Sequence, residues 1–130
     1  MIVEHFNPDG IVKSTRLQFS QAVRAGQLLF VSGQAGWLPD FTVPDNFEEE
    51  CHQVFANLNV VLEAAGCGFE HIVEGVSLHT PGMDVGTFWN VRNMYLAKPW
   101  PAWTTIGDIG LAFPAMRVEV KVTAVIPEVE

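Results

Sequence analysis

The chain has 130 residues, 48% of them hydrophobic, with 15 acidic against 7 basic side chains and a net charge of −8. That length fits a single domain, residues 1–130, with one core, and the apolar content excludes a disordered chain. The charge repels polyphosphate and no cluster of Lys or Arg offsets it, so nucleic acid is not expected as a partner.

Residues 1–13 hold a turn signal, Asn7-Pro8-Asp9-Gly10, and predict a short edge strand followed by a turn. Ser20–Arg24 and Leu28–Gly33 flank Ala25-Gly26-Gln27 and predict a hairpin. Gly33-Gln34-Ala35-Gly36 ends its second strand, and Trp37–Pro44, with two prolines, reads as a loop. Asp45 is the expected N-cap of the first helix, with Glu48 in a capping-box position and Glu49 and Glu50 favourable to the helix dipole. Phe47, Cys51, Val54, Phe55, Leu58, Val61, Leu62 and Ala65 recur at three- and four-residue spacing, which predicts an amphipathic helix over 45–65 closed by Gly66.

Ile72–His79 predicts a strand, Thr80-Pro81-Gly82 a turn, and Asp84–Ala97 a second helix stopped before Pro99. From Pro99 the chain predicts a short strand, a Gly/Pro turn and a long last strand. In that strand Met116, Val118, Val120, Val122 and Ala124 alternate with Arg117, Glu119, Lys121 and Thr123. The apolar row is expected to cover the core. The polar row faces water, a partner subunit or a cleft. The order of elements predicts an α+β sandwich with both helices on one sheet face.

No metal or cofactor site is expected. His5, His52, His71 and His79 show neither an i,i+4 pair nor a carboxylate at ligand spacing. Two cysteines, Cys51 and Cys67, make no disulfide framework, and Cys51 falls on the apolar helix face as a small buried hydrophobe. Ser20, Ser32 and Ser77 lack a nucleophile elbow, and Gly33-Gln34-Ala35-Gly36 lacks the spacing of a nucleotide loop. No apolar run approaches the roughly 18 residues of a membrane span, and MIVEHFNPDG has no secretory pattern. The expected location is the cytoplasm, with no membrane partner.

Several blocks together carry a resemblance: Ser20-Gln21-Ala22-Val23, Phe30-Val31-Ser32-Gly33-Gln34, Asn57-Leu58 through Leu62-Glu63-Ala64-Ala65-Gly66, Pro101-Ala102-x-Thr104 and Val118-Glu119-Val120. Their order and approximate spacing over residues 14 to 126 resemble the reactive-intermediate deaminase (RidA/YjgF) family. The resemblance implies a chorismate-mutase-like fold and a homotrimer with a central barrel and three small-molecule clefts between subunits. It also implies cofactor-free hydrolysis of 2-imino or 2-enamino acids to 2-keto acids and ammonia. Some members carry an endoribonuclease label, which the net charge disfavours here.

Carried over by position, the family's substrate-carboxylate arginine falls on Trp103, and Trp cannot neutralise a carboxylate. Small 2-imino acids are therefore expected to be poor substrates. Phe19 stands where many members have tyrosine, and Thr105 where many have cysteine. Ser32 and Gly33 resemble the cleft glycine segment. Glu119 matches the glutamate that positions or activates water; its alternative is cross-strand pairing beside Arg117 and Lys121. Trp103 is either a packed interface aromatic or the wall of a cleft remodelled for an apolar or aromatic ligand. Arg92 lies on the apolar face of the second helix, beside Phe88, Trp89, Tyr95 and Leu96, with no intrahelical carboxylate. It is either a relocated anchor for a carboxylate ligand, a snorkelling side chain, or a partner of Glu119. A trimeric binding or protein-protective module without catalysis is the alternative function.

Overall fold

The computed structural model describes residues 2–128. Its strands are β1 (Val3–Phe6), β2 (Ala22–Ala25), β3 (Leu28–Ala35), β4 (Ile72–His79), β5 (Ala102–Ile106) and β6 (Val118–Val125), and its helices are α1 (Phe47–Ala64) and α2 (Val85–Tyr95). The strands form one mixed sheet in the order β1-β2-β3-β6-β4-β5. Only β4 and β5 pair in parallel, joined by the crossover that contains α2. This is the α+β arrangement expected.

Helix α1 buries the periodic stripe. Cys51, Val54, Phe55, Leu58, Val61 and Leu62 pack with Leu29 and Val31 of β3 and with the apolar row of β6, Val118, Val120, Val122 and Ala124. Phe55 joins the two helices, stacking on Tyr95 at 5.0 Å and leaning on Phe88 at 5.9 Å. Fully burying side chains of this kind is worth about 1.5–3 kcal/mol each, so the stripe decides which sheet face the helices cover. Asn57, buried on the same helix, donates to the carbonyls of Ala35 and Trp37 at 2.9 and 2.8 Å and fixes the chain leaving β3. Cys51 is fully buried, and desolvation pushes its thiol up to about 12. Gly66 closes the helix at φ +78°.

Three local expectations need correction. The N-cap of α1 is Asn46, whose Oδ1 accepts from Glu49 N at 3.0 Å, not Asp45. The physical reason lies across the fold: Arg117 Nη2 donates to the carbonyls of Pro44 and Asp45, both at 2.9 Å, and ties down that segment ahead of the helix. Helix α2 is shorter than 84–97, starting after Asp84, whose side chain accepts from Thr87 N, and ending at Tyr95. The last strand begins at Val118, because Arg117 turns its side chain to α1. Arg117 Nε meets Glu50 Oε1 at 2.6 Å and its backbone N–H meets Glu50 Oε2 at 2.9 Å. Glu50, expected only to favour the helix dipole, is fully buried and held in this clamp.

Candidate functional site

The site begins at an irregularity in β3. Val31 pairs with Val122 and Gln34 with Val120, so Ser32 and Gly33 together oppose Lys121. Two residues against one is a β-bulge, which bends the strand and re-aims its groups. Ser32 is pinned by its own N–H to Gln21 O (2.9 Å) and its hydroxyl to Ser20 O (2.6 Å). Beside the bulge, Gln34 Nε2 donates to Gln21 Oε1 at 2.7 Å. A Cβ on Gly33 would overlap Glu119 Oε1, so the glycine creates the space that the carboxylate occupies.

Glu119 has no hydrogen-bond or ion-pair partner among the described residues. Arg117 is taken by Glu50, and Lys121 Nζ donates to Val31 O at 3.3 Å. The cross-strand pairing alternative is therefore not realised. Desolvation without compensation raises the Glu119 pKa above the ordinary carboxylate value. Glu119, Ser32, Gly33 and Phe19 line one cavity of about 390 Å³, together with Trp37 and Phe113. Trp37 meets Phe113 and Phe41 edge-on, each at 5.6 Å. Three separated stretches of the sequence, at residues 19, 32–33 and 119, thus line one cavity. A half-desolvated carboxylate next to a cavity is the state a general base needs.

Arg92 and Trp103 lie elsewhere. Trp103 pairs with Gly75, and Gly75 with Val122 of the core-facing row. Glu119 pairs with Leu78, and Leu78 with Ile106 of the opposite row. Glu119 and Trp103 therefore project from opposite faces of the same sheet. On the helix side, the Trp103 ring lies where a Cβ on Gly75 would be, and its Nε1–H donates to Ser77 Oγ at 3.1 Å. Ser77 is in turn 2.9 Å from His79 Nε2. His79 is buried, and desolvation lowers its pKa.

The guanidinium of Arg92 is 4.0 Å from the Trp89 ring centre, 4.7 Å from that of Trp103 and 5.3 Å from that of Trp100. Three of the four tryptophans thus surround one arginine, which is 4% exposed. No ion pair to Glu119 forms. Thr105 is exposed on a shallow concavity with Val85, Gly86 and Trp89 and is not part of the Glu119 cavity.

Trp89, Trp100, Ser77 and Gly75 were not singled out as site residues from sequence. Trp89 was visible only as an i−3 neighbour of Arg92, and no signal pointed to the other three. Among the described residues no three His, Cys, Asp or Glu side chains converge to hold a metal, and no helix is long and apolar enough to cross a membrane.

Residues 12–126 match the family model described as Endoribonuclease L-PSP. The chain is 41% identical over 113 residues to the RutC family protein YjgH of Escherichia coli strain K12, covering 85% of each chain. It is 33% identical over 109 residues to the 2-iminobutanoate/2-iminopropanoate deaminase of Mus musculus, covering 82% of this chain and 80% of that one. A solved structure of a protein named YJGH superposes with a TM-score of 0.87 at 38% identity, covering 96% of this chain and 97% of that one. With the family model matched over residues 12–126, and the identity and superposition in agreement, the chain belongs to the RidA/YjgF family described by the Endoribonuclease L-PSP model.

Proposed function

We propose that the protein is a cofactor-independent hydrolase that deaminates an imine, enamine or related reactive metabolite in clefts completed between subunits of a homotrimer. The observation that carries this is the unpartnered, partly desolvated Glu119 beside Gly33 and its cavity. In the reaction, Glu119 takes a proton from water as its oxygen adds to the carbon of the C=N bond. Glu119 returns that proton to the nitrogen to give the carbinolamine, then takes the hydroxyl proton and passes it to the nitrogen as the C=O bond forms, the C–N bond breaks and ammonia leaves. The products are a ketone and ammonia, and no oxidant or reductant is needed. Backbone groups at Gly33 supply hydrogen bonds to the reacting nitrogen and oxygen, and the Thr105 hydroxyl, which lies outside the Glu119 cavity of its own chain, adds one from a neighbouring copy.

Glu119 and Trp103 face opposite ways within one chain, so a single cleft that contains both needs two copies. The face bearing Glu119 also carries Phe30 and Ile106, 42% and 40% exposed, which suits it to contact another copy. Light scattering is expected to give three times the chain mass; a stable monomer would overturn the shared cleft.

The decisive assay is ammonia release from freshly generated imino acids, small and aromatic. Turnover by wild type that is lost in Glu119→Ala supports the proposal. Trp103 replaces the family's arginine, so the small 2-imino acids named for the mouse relative are expected to be poor substrates, and Trp103→Arg is expected to improve them. That same replacement, with Phe19 offering no hydroxyl, favours the second reading, a binding or protein-protective module. Saturable ligand binding with no turnover in wild type or Trp103→Arg would select it.

A further inference from the structure

We infer that Arg92 and the tryptophans around it form a binding site for a carboxylate carried on a planar, apolar body. A guanidinium uses its faces and its edge differently. Its faces attract aromatic rings, while its in-plane N–H groups hydrogen-bond. Here the rings of Trp89, Trp103 and Trp100 lie around the ion at 4.0, 4.7 and 5.3 Å. Nε donates to Asn93 Oδ1 at 3.2 Å. Nη1 and Nη2 have no hydrogen-bond partner among the described residues, and no carboxylate pairs with them.

These donors are not sealed in. Among the described residues, the fully buried side-chain atoms without a partner are Gln34 Oε1, Trp37 Nε1 and His79 Nδ1, whereas Arg92 opens on a cavity of about 460 Å³ lined also by Trp89, Asn93, Trp100, Pro101 and Trp103. No acidic side chain lines that cavity. An almost fully buried cation with a free fork of donors is costly to maintain without a counter-ion. The matching ligand group is a carboxylate held side-on by two parallel hydrogen bonds. The remaining walls are indole and proline surface, which suits a flat apolar body in van der Waals contact with Trp100 and Trp103.

The box is also built from outside itself. Gly75 leaves room for the Trp103 ring and Ser77 accepts its Nε1–H, so the indole is fixed before a ligand arrives and less ordering is required on binding. As a substrate class this deepens the deaminase proposal, pointing to larger, unsaturated or aromatic acids. As a binding site it stands without it.

The test is calorimetric titration of the full chain with cinnamate, alongside cinnamamide and acetate. Cinnamate is expected to bind saturably, with the neutral amide and the small acid each at least roughly tenfold weaker, as loss of a charge-assisted pair or of the stacked body requires. Arg92→Lys, which keeps the charge and loses the fork, is expected to weaken cinnamate roughly tenfold. Trp100 is 46% exposed, so Trp100→Ala spares the core and is expected to cost about fivefold. Equal affinity for cinnamate and cinnamamide, or wild-type affinity in both variants, overturns the site. Arg92-dependent binding without any ammonia release would overturn the deaminase proposal and leave this one standing.

Discussion

The two carboxylates Glu50 and Glu119 show two ways of treating charge in one small protein. Glu50 is fully buried yet fully engaged: both its oxygens accept from Arg117, which also ties down the carbonyls of Pro44 and Asp45. Glu119, two residues further along the chain than Arg117, is only partly buried yet has no partner among the described residues. The cations divide in the same way. Arg117 is spent on the fold, and Arg92 keeps a free edge among aromatic rings. Charges that stabilise the fold are matched within the chain, whereas charges at the two cavities are left to be matched by something from outside. An unmatched group costs stability, so its retention beside a cavity points to chemistry or binding rather than architecture.

The largest effect is expected at Glu119. Replacement by Gln is expected to lower deaminase turnover by about 10²- to 10⁴-fold, the usual contribution of a general base, while leaving the melting temperature unchanged or slightly raised. A lowered melting temperature would show that Glu119 is a structural residue after all. The pH behaviour has a definite sign. The folded state holds the Glu119 proton more tightly than the unfolded chain, so between the ordinary carboxylate pKa and the raised one the native state binds more protons and stability falls as pH rises. Wild type should therefore lose stability relative to Glu119→Gln across that window and keep the deficit above it. Turnover should rise with pH through the same raised value as the base ionises.

Glu50→Ala is the opposite experiment. It strands Arg117 and is expected to destabilise by about 3–5 kcal/mol, read from urea unfolding, with cinnamate affinity unchanged in whatever fraction remains folded. A change in affinity without a loss of stability would erase the division between matched and unmatched charges. Gly33→Ala sharpens it at the bulge. The new Cβ must displace Glu119 Oε1, the far end of a flexible side chain, so the sheet is expected to hold while turnover falls roughly 100-fold from a misplaced base. The smallest effect is expected for Ser77→Ala, which removes the acceptor of the Trp103 Nε1–H. A loss of about 1 kcal/mol, or roughly fivefold in cinnamate affinity, is the scale of one neutral hydrogen bond.

Much of this is legible in the sequence alone. The alternation of β6 and the helical stripe of α1 are local patterns, and burial enforces them. Val118, Val120, Val122 and Ala124 do cover the core with Cys51, Val54, Phe55 and Leu58. Arg92 was marked by an apolar helix face lacking a carboxylate, and it is buried as that pattern implies. Where local signals competed, they misled. Asp45 and Asn46 are both good capping residues, and only the reach of Arg117 from the far end of the chain makes Asn46 the cap.

By itself, then, the sequence determined the kinds and order of the elements, the face of α1 that is buried, and the presence of a charged row on the last strand. Those depend on spacing along the chain. Tertiary structure alone decided that Glu119 and Trp103 look in opposite directions, that Ser32 and Gly33 share one place opposite Lys121, that Arg117 belongs to Glu50, and that three tryptophans gather on Arg92. Alternation says only that neighbours on a strand point apart. Which rows of different strands share a face depends on strand order and register, where a shift of one residue exchanges the faces.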